Sequence, residues 1–476
     1  MRAAVGLISL FLLLGLPVAA QSLPAAPQAL SAAPQDLRAG RAALKITPPA
    51  GIPMAGYYNT RLAEGTHDDL WAKALVLESR ATRVAFVACD LVNIPADLSA
   101  AARKLAESAT GIPASHIILS ATHSHTGPLL GGRSTQYVEG PARKVMNGYR
   151  SSLPAKIASA VRAAAAALAP ARLSTATGHE ESVSFYRRFL MKDGTVRTNP
   201  GKRNPQIVQP MGQIDPEVQL VWIESAAAKP LLAYVNHALH LDTVGGLQFS
   251  ADFPYTLSAI LSKLYGPDLV TLFTNGAAGN INHINVATAA PQKGHAEARR
   301  IGTILAGEVL KTIARLQPVA AGPLTARSEI VPLPLPAYTP EQIAQARATA
   351  AKFGRPGSPG TVPLADAFRI LDVADRKGAP LEAEVQVVAL GKSIAWVGLP
   401  GEIFVELGQA IKKASPFPTT IIVELSNGQI GYVPTRKAFE EGGYEVLSAR
   451  FAPGGGELLA EAAIKLLSAI HRLPEQ

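Results

Sequence analysis

The chain has 476 residues, 48% hydrophobic and 17% charged, which excludes a disordered protein and leaves room for a large core. Its net charge of +9 is dispersed, with no basic run interleaved with aromatics, which excludes nucleic acid as a partner. The single cysteine, Cys89, excludes an internal disulfide framework and reads as a small buried apolar residue.

Taken in chain order, residues 1–20 read as a secretory signal peptide: Arg2, an apolar run from Ala3 to Leu16, then the small-residue site Val18-Ala19-Ala20. The run is too short to span a bilayer, so a secreted or periplasmic protein is expected. Residues 21–38, rich in Ala, Pro, Gln and Ser, read as a flexible leader, and 39–476 as one large domain, since no long polar linker divides it. Strands are predicted at 83–89, 117–120, 218–223, 231–235, 269–273, 385–389, 394–397 and 419–424. Helices are predicted at 97–108, 144–168, 254–264, 294–316, 340–353, 402–414 and 457–472. The pairs 218–223/231–235 and 385–389/394–397 read as hairpins. Residues 318–365, rich in Pro and Gly, read as an excursion over the surface that carries the 340–353 helix. Strands alternating with helices and interrupted by hairpins predict an α/β fold, a mixed β-sheet core flanked by helices.

The polar clusters fall at strand ends, where α/β proteins place their chemistry. Ile117-Ile118-Leu119 leads into Ser120-Ala121-Thr122-His123-Ser124-His125-Thr126-Gly127-Pro128. In an extended backbone His123 and His125 project to one side, as a metal site needs. Taken alone, the pair reads equally as two unrelated histidines. A second cluster, His237-Ala238-Leu239-His240, can turn one imidazole back toward the first. Asp252, before Pro254, reads as a helix cap. Thr274-Asn275-Gly276-Ala277-Ala278-Gly279-Asn280-Ile281-Asn282-His283 is a small-residue loop whose amides suit an anion or oxyanion; it lacks the Lys-Ser/Thr pair of a P-loop. Glu402, after Leu399-Pro400-Gly401, is placed either as a helix N-terminal carboxylate or as a metal ligand. Tyr432 and Tyr444 follow.

In this order the segments resemble the neutral/alkaline non-lysosomal ceramidases from about Arg41 to Tyr444. The matching stretches include Ile46-Thr47-Pro48-Pro49, Met54-Ala55-Gly56-Tyr57, Thr122-His123-Ser124-His125-Thr126-Gly127-Pro128, Arg187-Arg188-Phe189, Ile214-Asp215-Pro216-Glu217, Pro400-Gly401-Glu402 and Gly431-Tyr432-Val433. The resemblance implies one Zn2+ per chain, held by His123, His240, Glu402 and Tyr432. It implies that His125 faces the substrate amide, that Arg187 binds substrate, and that Tyr444 contacts the scissile carbonyl. Two departures stand out. The family's loop serine is replaced by Asn282, which cannot act as a nucleophile but can donate a hydrogen bond to an oxyanion. No C-terminal β-sandwich is expected after the catalytic domain.

The residues and the resemblance together imply an exported zinc-dependent amidohydrolase of lipid, specifically sphingolipid, metabolism. It would cleave an N-acyl bond with zinc-activated water. His125, Tyr444 and Asn282 are the catalytic candidates, and Arg187, Gly279 and Asn280 the substrate-binding ones. A small-molecule or lipid substrate and a peripheral contact with a membrane surface are the implied partners. The alternatives are a zinc esterase or amidase acting on a non-sphingolipid acyl compound, and a zinc-bearing but inactive binding protein.

Overall fold

A computed structural model describes residues 37–474. The expected signal peptide lies outside the described residues, as does the expected leader up to residue 36. Leu37 and Arg38, assigned above to the leader, open the first strand, Leu37–Lys45.

Among the described residues the larger sheet has nine strands. Its main path runs Val270–Asn275, Pro230–His237, Glu217–Ser225, Ala169–His179, Leu37–Lys45, Trp71–Ser79, Thr82–Cys89, Ile117–Ala121. The outermost pair at each end is parallel and the inner pairs are antiparallel. A second sheet orders Leu324–Leu333, Leu381–Leu390, Ile394–Gly398 and Thr419–Val423, the last two parallel. Both expected hairpins form.

The expected mixed-sheet core flanked by helices is therefore present, but built from two sheets. Phe86, Ile118, Tyr234 and Leu272 of the larger sheet pack against Val388, Trp396 and Ile421 of the smaller one. Strands such as Arg83-Val84-Ala85-Phe86-Val87-Ala88-Cys89 are apolar on both faces because both faces are covered. On the outer face of the larger sheet, helices Ala96–Thr110 and Gly140–Ala166 bury Ala102, Leu153 and Ile157. Helices Phe253–Tyr265 and His295–Ile313 add Leu257 and Ile301. Helices Val405–Ala414 and Gly455–His471 cover the smaller sheet with Leu407, Ile411 and Leu467. At the start of helix Phe253–Tyr265, Asp252 accepts from Phe253 N at 2.7 Å and so caps it as expected.

Strands Leu37–Lys45, Trp71–Ser79 and Ala169–His179 were not predicted. Their sequences are rich in Ala, Leu, Lys and Arg, residues of higher helix than strand propensity. Pairing on both sides overrides that propensity. The surface excursion also differs from expectation. Leu324–Leu333 is a strand in register with Leu381–Leu390, and the segment joining them carries two helices, Pro340–Ala350 and Thr361–Ala374. Thr339 and Gln342 close a capping box on the first.

Asp90 ends strand Thr82–Cys89, is 3% exposed, and accepts from Trp71 N through Oδ2 at 2.9 Å. Burial, only partly offset by Lys73, pushes its pKa up to about 6. The folded state thus holds this proton more tightly than the unfolded one. The resulting stabilisation is full below the unfolded value and disappears as pH rises through about 6. Asp90→Asn keeps the acceptor and removes the titration. Urea midpoints of variant and parent across that window should diverge in the variant's favour by up to about 3 kcal/mol toward neutral pH; parallel curves would show that Asp90 does not titrate there.

Candidate metal centre and its pocket

The centre forms where parallel-paired strands of both sheets end side by side. Strand Ile117–Ala121 leads into His123, whose N–H donates to Leu91 O at 2.8 Å. His123 has φ 78°, a left-handed conformation that costs energy in a non-glycine residue and often marks a functional site. His125 N donates to Leu241 O at 3.1 Å, tying this loop to the second histidine cluster. His240 follows strand Pro230–His237, with Leu239 N held by the Asn275 side chain at 3.1 Å. Glu402 and Tyr432 are partners in a short parallel pair, which puts the carboxylate and the phenol on one side.

His123 Nδ1 lies 2.8 Å from Val92 O and His240 Nδ1 lies 3.3 Å from Ala278 O. A carbonyl only accepts, so both Nδ1 atoms carry a proton, and each ring in its neutral form presents an Nε2 lone pair. Those lone pairs face each other at 2.8 Å. Glu402 Oε2 stands 3.4 Å from His123 Nε2 and 3.5 Å from His240 Nε2, is buried, and has no hydrogen-bond partner. The Tyr432 hydroxyl lies beside the same carboxylate. Converging lone pairs and an orphaned carboxylate oxygen repel unless a proton or a cation sits among them. Two imidazoles, a carboxylate and a phenol form a donor set that fits zinc, and the Nδ1 contacts to backbone carbonyls are those of orienting outer partners. His237, the other histidine of the second cluster, turns away, its Nδ1 on Glu217 O at 2.9 Å.

His125 stands 3.2 Å from His123 through Nε2, and the three histidines together could hold a metal ion. Its Nδ1 has no partner, and it lines the cavity. Burial and the neighbouring His123 lower its pKa to about 3, so it is neutral near pH 7. His240 is pushed well below the usual range by burial and His123. Burial alone would raise the Glu402 pKa, but His123, the Tyr432 hydroxyl and Arg187 hold it low. Burial keeps Tyr432 and Tyr444 protonated.

The remaining predicted residues divide. Tyr444 lines the cavity with its ring 5.5 Å from that of Tyr432 and lies beside Tyr58. Arg187 is 4% exposed and is not among the described residues that line the cavity. Its guanidinium donates to Glu445 at 2.8 Å and Gly279 O at 2.7 Å, approaches His240 Nε2 at 3.4 Å, and stacks over the Tyr432 ring. It supports the centre from behind. The glycine-rich loop also turns inward, contrary to the expectation that it presents donors to a substrate. Gly279 N is spent on Ile403 O at 2.7 Å. The Asn280 side chain bonds Glu406, Tyr186 and Val405 N. Asn282 Nδ2 donates to Asn199 at 2.9 Å while its oxygen accepts from Ile284 N at 3.0 Å. The Gly279 amide and the Asn280 and Asn282 side chains are thus committed to neighbouring segments, and this part of the loop braces the site.

The cavity measures about 550 Å³ and opens over His123, His125, Glu402, Tyr432 and Tyr444. One wall is aromatic, with Tyr58, Tyr137, Phe353 and Phe368 in one cluster. Another is charged: Asp372 accepts from Arg133 Nε at 2.9 Å and Arg450 Nε at 2.8 Å, pinning helix Thr361–Ala374 over the mouth. Sequence reasoning missed this wall because the helix was not predicted, and it missed Val92 and Ala278 because they act through carbonyls, which side-chain identity does not reveal. A second group, His67, Asp68 and His295, also has ligand atoms close together. Its imidazoles are stacked face to face at 3.6 Å, and both Asp68 oxygens are engaged by Ser250 and Ala251.

Residues 38–199 match the family described as neutral/alkaline non-lysosomal ceramidase, N-terminal. The fold matches the crystal structure of neutral ceramidase from Pseudomonas aeruginosa with a TM-score of 0.73 at 21% identity, over 93% of this chain and 76% of that one. It matches a ceramidase complexed with C2 equally well, with a TM-score of 0.73 at 18% identity over the same shares. No curated protein sequence matches the chain. The resemblance carried by the motifs is thus a family match over residues 38–199 and a shared fold over nearly the whole chain.

Gly279 gives a direct test of how the loop supports the centre. A Cβ there would fall 2.4 Å from Glu402 O and 2.8 Å from Glu402 C, both backbone. Gly279→Ala must displace the Glu402 strand. It should cost roughly 1–3 kcal/mol in urea unfolding and weaken metal retention as well. A variant as stable and as metal-loaded as the parent would show that the contact yields freely.

Proposed function

We propose that this chain is a zinc-dependent amidohydrolase that cleaves the N-acyl bond of a ceramide-like lipid. The observation that carries the reading is the convergence of His123 Nε2, His240 Nε2 and the unpartnered Glu402 Oε2 beneath a partly aromatic cavity. His123, His240, Glu402 and Tyr432 would hold the ion. Zinc in such a set supplies Lewis acidity toward a carbonyl oxygen and a water made acidic near neutral pH.

The chain's own groups supply the rest. His125, which faces the cavity with its Nδ1 unpartnered, is the group placed to take a proton as water attacks and to deliver it to the leaving nitrogen. Tyr444, held protonated and braced by Tyr58, donates to the developing oxyanion. Arg187 fixes Tyr432 and the loop carbonyl Gly279 O. The inward-turned Asn282 supports direct attack by water, with no covalent acyl-enzyme. The Tyr58, Tyr137, Phe353 and Phe368 wall suits an alkyl chain. The signal-like start of the sequence supports export, and the positive net charge a peripheral contact with an anionic membrane.

The charged wall of Arg133, Asp372 and Arg376 favours a second reading, a zinc hydrolase for a more polar N-acyl compound. Assaying a short-chain fluorescent N-acyl sphingosine against N-acyl amino acids and simple esters separates the two. Elemental analysis should give one zinc per chain. Glu402→Gln should lose most of its zinc on dialysis and its activity while still folding. Were Glu402 merely a helix-end carboxylate, the change would cost under about 1 kcal/mol and leave zinc in place. Zinc bound without turnover of any amide or ester would leave a binding protein.

A further inference from the structure

We propose that Glu424 is a positioning residue that sets the spacing of His240 and Glu402 by clamping Ala278, whose carbonyl holds His240, to Ile403, which follows Glu402, a reading that rests on the metal centre proposed above. Glu424 directly follows strand Thr419–Val423, and its side chain is fully buried. One carboxyl oxygen, Oε2, accepts from Ala278 N at 3.2 Å and from Ile403 N at 2.9 Å. Each partner sits one bond from the centre. Ala278 uses its own carbonyl to accept from His240 Nδ1 at 3.3 Å, and Ile403 is the residue after Glu402. A single oxygen thus ties the segment that carries Glu402 to one more than a hundred residues away whose carbonyl receives His240 Nδ1.

The clamp is itself held at both ends. Glu424 N donates to Asn275 O at 3.1 Å, and Leu425 N to Gly401 O at 3.1 Å. The other carboxyl oxygen, Oε1, is buried without a hydrogen-bond partner. A half-satisfied carboxyl is a costly way to fill a core position, and a leucine would fill the space without that cost. What the position needs is an acceptor reaching both amides. Without it, Ala278 and Ile403 are left with buried unpaired N–H groups, and the carbonyl that fixes the His240 tautomer is released.

The test is Zn2+ affinity of the full chain, measured by competition with a chelating dye, alongside the absorption spectrum of the Co2+-loaded protein. Glu424→Gln keeps an oxygen for both amides and should stay within about threefold of the parent, with an unchanged spectrum. Glu424→Asp is one methylene shorter and cannot span both. It should bind about 10- to 100-fold more weakly, with a shifted spectrum, as should Glu424→Leu. The Asp variant retains a carboxylate and serves even if the Leu variant does not fold. Folded Asp variant with parental affinity and spectrum overturns the inference, as does a Gln variant weakened as much as Asp. A parent that binds no Zn2+ overturns the centre and this inference together. A parent that binds one, with the Asp variant unchanged, overturns this inference alone.

Discussion

Two imidazole nitrogens brought face to face, His123 Nε2 and His240 Nε2 at 2.8 Å, are the constraint around which this end of the molecule is organised. They are held there because each Nδ1 is committed to a backbone carbonyl, Val92 O or Ala278 O. Fixing a tautomer from behind orients the lone pair in front. The energetic burden is visible in the left-handed φ of His123 and in the orphaned Glu402 oxygen. Such strain persists only where the surroundings over-determine it.

The surroundings here are the face-to-face sheets. Trp396, Phe86 and Tyr234 lock the two together. That packing brings the end of the 117–121 strand against the loop after Thr419–Val423, with Asn427 N on Leu119 O at 2.7 Å and Ser120 bridged to Ser426. Donors from four distant parts of the chain then meet without a long loop. The glycine-rich segment 276–282 fills the gap between them, and it needs small residues because the Glu402 backbone passes so close.

The same crowding turns much of the glycine-rich loop away from the cavity. With the Gly279 amide and the Asn280 and Asn282 side chains spent on internal bonds, His125 and Tyr444 are the two expected catalytic residues that line the cavity. Helix Thr361–Ala374, strapped down by Asp372 to Arg133 and Arg450, then decides how polar the outer half of that cavity is.

Much of this was legible in the residues themselves. The apolar runs 83–89, 117–120 and 419–424 announced buried strands, because period and β-branching are local properties. His123, His125 and Glu402 stood out because ligating side chains at strand ends carry a chemical signature in one dimension, whereas Tyr432 and the choice of His240 came from the family resemblance. The sequence also admitted His237 and His240 equally; only the parallel register of Pro230–His237 on Val270–Asn275 sends the first to Glu217 O and the second to the centre. Strands such as Ala169–His179, the division into two sheets, the inward turn of Asn282 and the supporting roles of Arg187 and Glu424 were decided by tertiary structure alone. Each depends on which distant backbone groups lie within hydrogen-bond reach, and that is a property of the packed sheets, which no local run of residues encodes.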